Sequence, residues 1–295
     1  MKAALNTGAN FWNGGEFYGT PEHNSLHVLN SYFSKYPDDA EKVVISIKGG
    51  LGLGLAPDGG EQNVRRSVDN CLKLLDGKKT LDIFECARVD PNTPIETTIG
   101  ILATYVKEGK IKGISLSEVK AETIRRAHKV HPICAVEVEF SLWATDILSN
   151  GVAATCAELS IPVVAYSPLE RGFLTGEIKS FDDIPEGDFR RYLPKFQPDV
   201  FPKNLELVKE LEKLANKKGC KPAQLGLAWV KSMSGKPGMP TIIPIPGATT
   251  EDRVVENSKD VKLTNADLEE IDGILSKAVV IGDRYGGPMK ALMEG

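Results

Sequence analysis

Seven short β-branched or apolar runs, separated by longer stretches of helical periodicity, recur from near the first residue to residue 246. The runs are ANFW (9–12), VVISIK (43–48), DIFECA (82–87), IKGISLS (111–117), AVEVEF (135–140), VVAYS (163–167) and TIIPIP (241–246). Helical patterns are expected near 61–75, 95–108, 121–128, 150–159, 203–218, 222–233 and 250–258, with a further helix near 264–278. Strands that alternate with helices in this way must be parallel, because each return to the sheet needs a crossover. That leaves two architectures, a doubly wound sheet or a (β/α)8 barrel. No G-x-G-x-x-G opens a helix, and the glycines between Lys48 and Gly54 fit neither dinucleotide nor Walker spacing. They read as a flexible strand-to-helix loop. The longest stretch without periodicity, 169–201, is rich in proline, glycine and charge and reads as an active-site loop.

Composition narrows the function classes. With 41% apolar and 26% charged residues over 295 positions, the chain has the balance of a globular protein, and one α/β barrel accounts for its length. The net charge of −4 gives no positive field for nucleic acid or an anionic lipid face, so neither partner is expected. The longest charge-free run with apolar character, Pro237 to Thr250, has 14 residues and four prolines, too short and too broken to span a bilayer. The opening MKAALNTGANFW has no secretory pattern, and a cytoplasmic location is expected. Five scattered cysteines without C-x-x-C spacing suggest reduced thiols rather than disulfides or a zinc site.

Parallel strands of this kind are buried on both faces, so ionisable residues at their C-terminal ends need a reason. Lys48 closes its strand; Glu137 and Glu139 share one face of AVEVEF; Ser117 and Glu118 follow GISL; Tyr18 lies just past ANFW. These ends converge on one rim. An ammonium beside a phenol favours the phenolate, so Lys48 is expected to lower the pKa of Tyr18 and make it a proton donor near neutral pH. His23 and His27 are spaced i, i+4 but lack the H-E-x-x-H pattern, and His128 and His131 have no partner pattern; no metal site is expected.

Several motifs, taken in order, resemble those of the aldo-keto reductases. NFWNGGEFYG (10–19) is similar to that family's D-T-A-D-x-Y-G segment, IKGG (47–50) to its lysine strand, and LDIFECARVDPNTPIETT (81–98) to its D-L-x-x-x-H-R-x-D-P region. GKIKGISLSE (109–118), EVEFSL (137–142), YSPLERGFLTG (166–176) and IPIPGATTEDRVVEN (243–257) continue the match over almost the whole chain. CARVDP, VEVEFSL and the late GDRY (282–285) most resemble the fungal pyridoxal reductases of this superfamily. The resemblance implies a (β/α)8 barrel and an oxidoreductase that reduces an aldehyde, pyridoxal to pyridoxine, with NADPH and no metal. Tyr18 would be the proton donor and Lys48 the lysine that tunes it. Ser117, Glu118 and Glu137 would bind the carboxamide, where the family usually has Asn and Gln at the latter two. Tyr166 would stack on the nicotinamide, and Ser167, Pro168, Leu169, Arg171 and Gly172 would wrap the pyrophosphate. Gly247, Arg253, Glu256 and Asn257 would hold the adenosine end, with Arg253 facing the 2′-phosphate.

Three departures accompany the resemblance. The family's aspartate position is Asn13, an amide able to hydrogen-bond Lys48 but bringing no charge, and its histidine position is Ala87, for which a water or Glu16 could substitute. The family's first strand and most of its first helix are expected to be missing, with the domain covering 1–295 in N-terminally truncated form. A seven-stranded barrel would leave two unpaired edges. These departures motivate two rival readings, a non-catalytic NADP(H)-binding regulatory protein of the same fold, comparable to potassium-channel beta subunits, or an inactive truncated product.

Overall fold

The computed structural model describes residues 1–293 and 295. Seven strands form one parallel sheet: β1 (Phe11–Gly15), β4 (Val44–Gly49), β5 (Leu81–Cys86), β6 (Ile111–Ser117), β7 (Ile133–Glu139), β8 (Val163–Tyr166) and β9 (Ile242–Pro244), paired in that order. A two-residue antiparallel pair, β2 (Gly19–Thr20) and β3 (His23–Asn24), interrupts the first connection. The sheet curls with helices on its outer face, the (β/α)8 arrangement that the resemblance implied and one of the two that the alternation allowed. β1 and β9 form its two edges and do not pair with each other among the described residues. The space between them is spanned by α1 (Lys2–Asn6) lying on α9 (Glu251–Ser258), where Thr7 Oγ1 donates to Ser258 Oγ at 2.9 Å. A cavity of about 670 Å³ remains there.

The helices form where the pattern places them. α3 (Glu61–Leu75) buries Val64, Val68, Cys71 and Leu75, one apolar stripe of helical spacing, and stops at Asp76 in a left-handed conformation. α4 (Ile95–Lys107), α5 (Ala121–Val130), α6 (Val152–Glu158), α7 (Phe201–Lys218), α8 (Pro222–Ser232) and α10 (Asn265–Lys277) complete the layer. One helix was not expected. α2 (Ser25–Lys35) buries Leu26, Leu29, Tyr32 and Phe33, and Asn24 and His27 cap it reciprocally. His23 sits in β3.

The stretch 169–201 is not structureless. Four turns of 3₁₀-helix, Glu170–Thr175, Phe181–Asp183, Phe189–Tyr192 and Pro194–Phe196, carry it across the rim. Phe173 stacks on Trp143 at 4.2 Å between ring centres, and Phe196 and Phe201 pack edge-on against Phe173. After α10 the chain returns over the same rim. There Gly282 lies against the backbone of Pro194 and Lys195 with φ +98°; a Cβ would come within 2.8 Å of that backbone, so only glycine fits.

Candidate active site

Register places the reactive groups. Gly15 of β1 pairs with Lys48 of β4, Lys48 with Glu85 of β5, and Glu85 with Ser115 of β6, so one row of residues crosses four strands near their C-terminal ends. Side chains of one such row share a face. Lys48 is 3% exposed and Glu85 fully buried. Two strands beyond β5, Glu137 of β7 reaches across the interior to the same ammonium. Lys48 Nζ contacts Glu137 Oε1 directly and lies 3.1 Å from Glu85 Oε1, with the face of Tyr166 beneath it at 5.6 Å. Ser115 Oγ donates to the other oxygen of Glu85 at 2.8 Å. Asn13 donates to Glu137 Oε2 at 2.7 Å. The amide was expected to bond Lys48. It bonds that lysine's counter-ion instead, its NH2 group donating to the oxygen of Glu137 that Lys48 leaves free.

Tyr18 stands over this cluster. Its N–H closes a turn onto the Gly15 carbonyl at 3.2 Å, and its ring folds back over Gly15 so closely that a Cβ there would meet it at 2.9 Å. Phe17 supports the ring edge-on at 4.9 Å. Burial raises the Tyr18 pKa; Lys48 lowers it, but Glu137 and Glu85 act against the lysine, and the net shift is upward. The expected downward shift is thereby reversed, first by burial of the phenol and then by the two carboxylates that Lys48 faces. Burial pulls the Lys48 pKa down, yet the same carboxylates more than offset it, so Lys48 stays charged. Glu137 is pushed upward by burial and by the charge of Glu85.

Ala87 is buried at the neighbouring strand end, its N–H on the Gly49 carbonyl. Glu16 does not substitute there. Its carboxylate accepts from Arg66 at 2.8 Å, Asn70 at 2.8 Å and Ser67 at 2.6 Å, away from the phenol. Arg88 is the cation beside Ala87. Its guanidinium donates to the Ala87 carbonyl at 2.6 Å, and its charge acts on both Tyr18 and Tyr166. Sequence reasoning passed over Glu85 and Arg88. A glutamate inside a two-face-buried strand and an arginine just past its end were the available signals.

A cleft of about 1740 Å³ runs from this cluster along the rim. Asn13, Tyr18, Lys48 and Glu137 line one end, Tyr166, Ser167, Pro168, Leu169, Arg171 and Gly172 the middle, and Gly247, Arg253, Glu256 and Asn257 the far end. Ser117 lines a small adjoining void, and Glu118 faces away from the cleft. Among the described residues six buried side-chain polar atoms lack a partner; Ser117 Oγ, Tyr166 Oη and Asn257 Nδ2 are three of them. Such atoms cost free energy unless a ligand satisfies them. Tyr166 and Asn257 line the cleft itself and Ser117 the void beside it, a polar lining that fits a cofactor such as NADP(H). Backbone strain gathers here as well, with Glu118, Ser167, Glu170 and Arg171 all left-handed.

Several of these groups already have protein partners. Arg171 forks onto Glu139 at 2.9 and 3.2 Å and onto Glu170 at 2.7 Å, and donates to Tyr285 Oη at 2.8 Å. Glu118 takes both nitrogens of the Arg284 fork at 3.2 Å. Arg253 meets Glu177 of the long rim segment at 3.2 Å, and Glu256 meets Lys221.

The profile of the Aldo/keto reductase family matches residues 1–276. The chain is 44% identical over its full length to "Probable pyridoxal reductase 2" of Schizosaccharomyces pombe, covering 90% of that protein. It is 38% identical to the NADP(+) aldo-keto reductase yakc of the same yeast, over 99% of this chain and 86% of that one. A glycerol dehydrogenase from Gluconobacter oxydans superposes with a TM-score of 0.82 at 26% identity, over 96% of this chain and 85% of the other. No helix among the described residues is long and apolar enough to cross a membrane.

Proposed function

The chain belongs to the aldo/keto reductase family, whose cofactor is NADP(H), and from that premise we propose that it reduces pyridoxal to pyridoxine with Tyr18 as the proton donor. The observation that carries the proposal is the Lys48 ammonium, buried between Glu85 and Glu137 beneath Tyr18 at one end of the cleft. The similarity to a pyridoxal reductase supports the substrate and a role in vitamin B6 metabolism.

Bound NADPH supplies the hydride that the carbonyl carbon accepts. The residues do the rest. As negative charge develops on the carbonyl oxygen, the Tyr18 O–H bond breaks and the oxygen takes the proton; the phenolate left behind faces Lys48. The raised pKa of Tyr18 keeps the phenol protonated before that moment. Arg88, which lines the cleft with its guanidinium on the backbone carbonyl of Ala87, would steady the substrate carbonyl in place of a side chain at Ala87. Tyr166 would carry the nicotinamide, with Ser117 among its polar partners; Asn257 would meet the adenosine end, where Arg253 would leave Glu177 for the 2′-phosphate. Arg171 and Glu118 act by shaping the loops through Glu139 and Arg284. The five cysteines are free thiols and suit a cytoplasmic enzyme.

The test is loss of NADPH absorbance on adding pyridoxal. Tyr18→Phe is expected to lower turnover by about 10²-fold or more while NADPH still binds. Equal rates in parent and variant would overturn the assignment of Tyr18.

A further inference from the structure

A buried ammonium needs a counter-charge on the spot, since an unpaired ion in the interior is strongly unfavourable. Asn13 stands at the right end of β1 but offers only a neutral amide. The charge comes from Glu85 of β5 and Glu137 of β7 instead. Glu137, 1% exposed, uses its two oxygens for two different donors: Oε1 receives Lys48 Nζ and Oε2 receives Asn13 Nδ2. A carboxylate so divided cannot turn without breaking one bond to keep the other. Glu85 also flanks the lysine, but its other oxygen is fixed by Ser115.

We propose that Glu137 is a positioning residue for this chemistry: its carboxylate tethers Lys48 in front of Tyr18, and Asn13 fixes the carboxylate, so that the three act as one unit. The inference rests on the proton-donor role proposed for Tyr18. It also makes Glu137 a partner of Lys48 rather than a carboxamide ligand. Four charged groups bear on Tyr18, namely Lys48 of β4, Glu85 of β5, Arg88 just beyond it and Glu137 of β7. Glu137 opposes the lysine, so its neutralisation has a definite sign.

Three variants decide the matter: Glu137→Gln, Asn13→Asp, and the two combined. Phenol ionisation is read by ultraviolet difference titration against a Tyr18→Phe background, beside the pH profile of turnover. Glu137→Gln is expected to ionise Tyr18 about one pH unit lower and to cut kcat by about tenfold. Asn13→Asp sets a second carboxylate against the first and is expected to shift Tyr18 upward. The double variant reverses the hydrogen bond between positions 13 and 137 and restores one charge; it is expected to recover most of the titration shift and part of kcat. A Tyr18 titration and pH profile unmoved in a folded Glu137→Gln would overturn the proposal. If that variant does not fold, Asn13→Asp alone is decisive, and an unmoved Tyr18 overturns it. A parent inert towards NADPH and pyridoxal would refute the enzymatic reading, whereas the titration would still decide the role of Glu137.

Discussion

Glu137 and Glu139 stand two residues apart on the same buried face of β7, yet their carboxyls are driven in opposite directions. Burial pushes both upward. At Glu137 the one available cation is shared with Glu85, and the pKa ends above the ordinary range. At Glu139 the forks of Arg171 and Arg284 outweigh burial, and the pKa ends below it. The first cluster has one ammonium, two carboxylates and a phenol open to the cleft. The second has two guanidiniums tying Glu118, Glu139 and Glu170 to the returning chain, with Tyr285 hydrogen-bonded to Arg171. A lysine shared by two carboxylates beneath a phenol makes a site open to proton transfer; arginine forks that tie carboxylates to the returning chain make a clamp. Burial alone would not have told the two apart.

Removing each cation probes this contrast most directly. Lys48→Met is expected to reduce turnover by about 10³-fold and to lower the melting temperature, because Glu85 and Glu137 would be left without a counter-ion. Arg284→Met should cost about 3 kcal/mol of stability and expose the segment after α10 to proteolysis. If that variant also reshaped the pH profile of turnover, the separation of site from clamp would fail. The finest test uses Glu170, whose pKa burial and Glu139 raise from 4.5 to about 8. Between those values the native protein keeps a proton that the unfolded chain has shed, so its contribution to stability falls as pH rises through the window. Glu170→Gln is expected to flatten that slope, changing the melting temperature by a few degrees across it. A slope identical to the parent's would show that Glu170 is ionised throughout.

The parallel sheet was legible because its strands are buried on both faces and read as continuous apolar runs; β6 and α3 fall on the expected boundaries. α2 was missed although Leu26, Leu29, Tyr32 and Phe33 mark its face, because its cap pairs an asparagine with a histidine rather than an acidic residue. The long rim segment hid its 3₁₀ turns because left-handed Glu170 and Arg171 break any regular period. In the site, Tyr18 and Lys48 could be found from strand-end position. The direction of the Tyr18 shift could not, since it depends first on burial of the phenol and then on Glu137 crossing the interior from β7, both set by the curl of the sheet and not by spacing.

The cavity between the two sheet edges has one further property. Asn13, Ile245, Pro246, Gly247, Ala248 and Asn257 line both it and the main cleft, so a single layer of chain divides two chambers. That layer hangs from β8 on one side only, and Ile245 N–H to the Ala165 carbonyl, at 3.0 Å, is its last bond to that strand. The two chambers therefore share a wall one chain thick, and a side chain enlarged within it takes volume from one or the other.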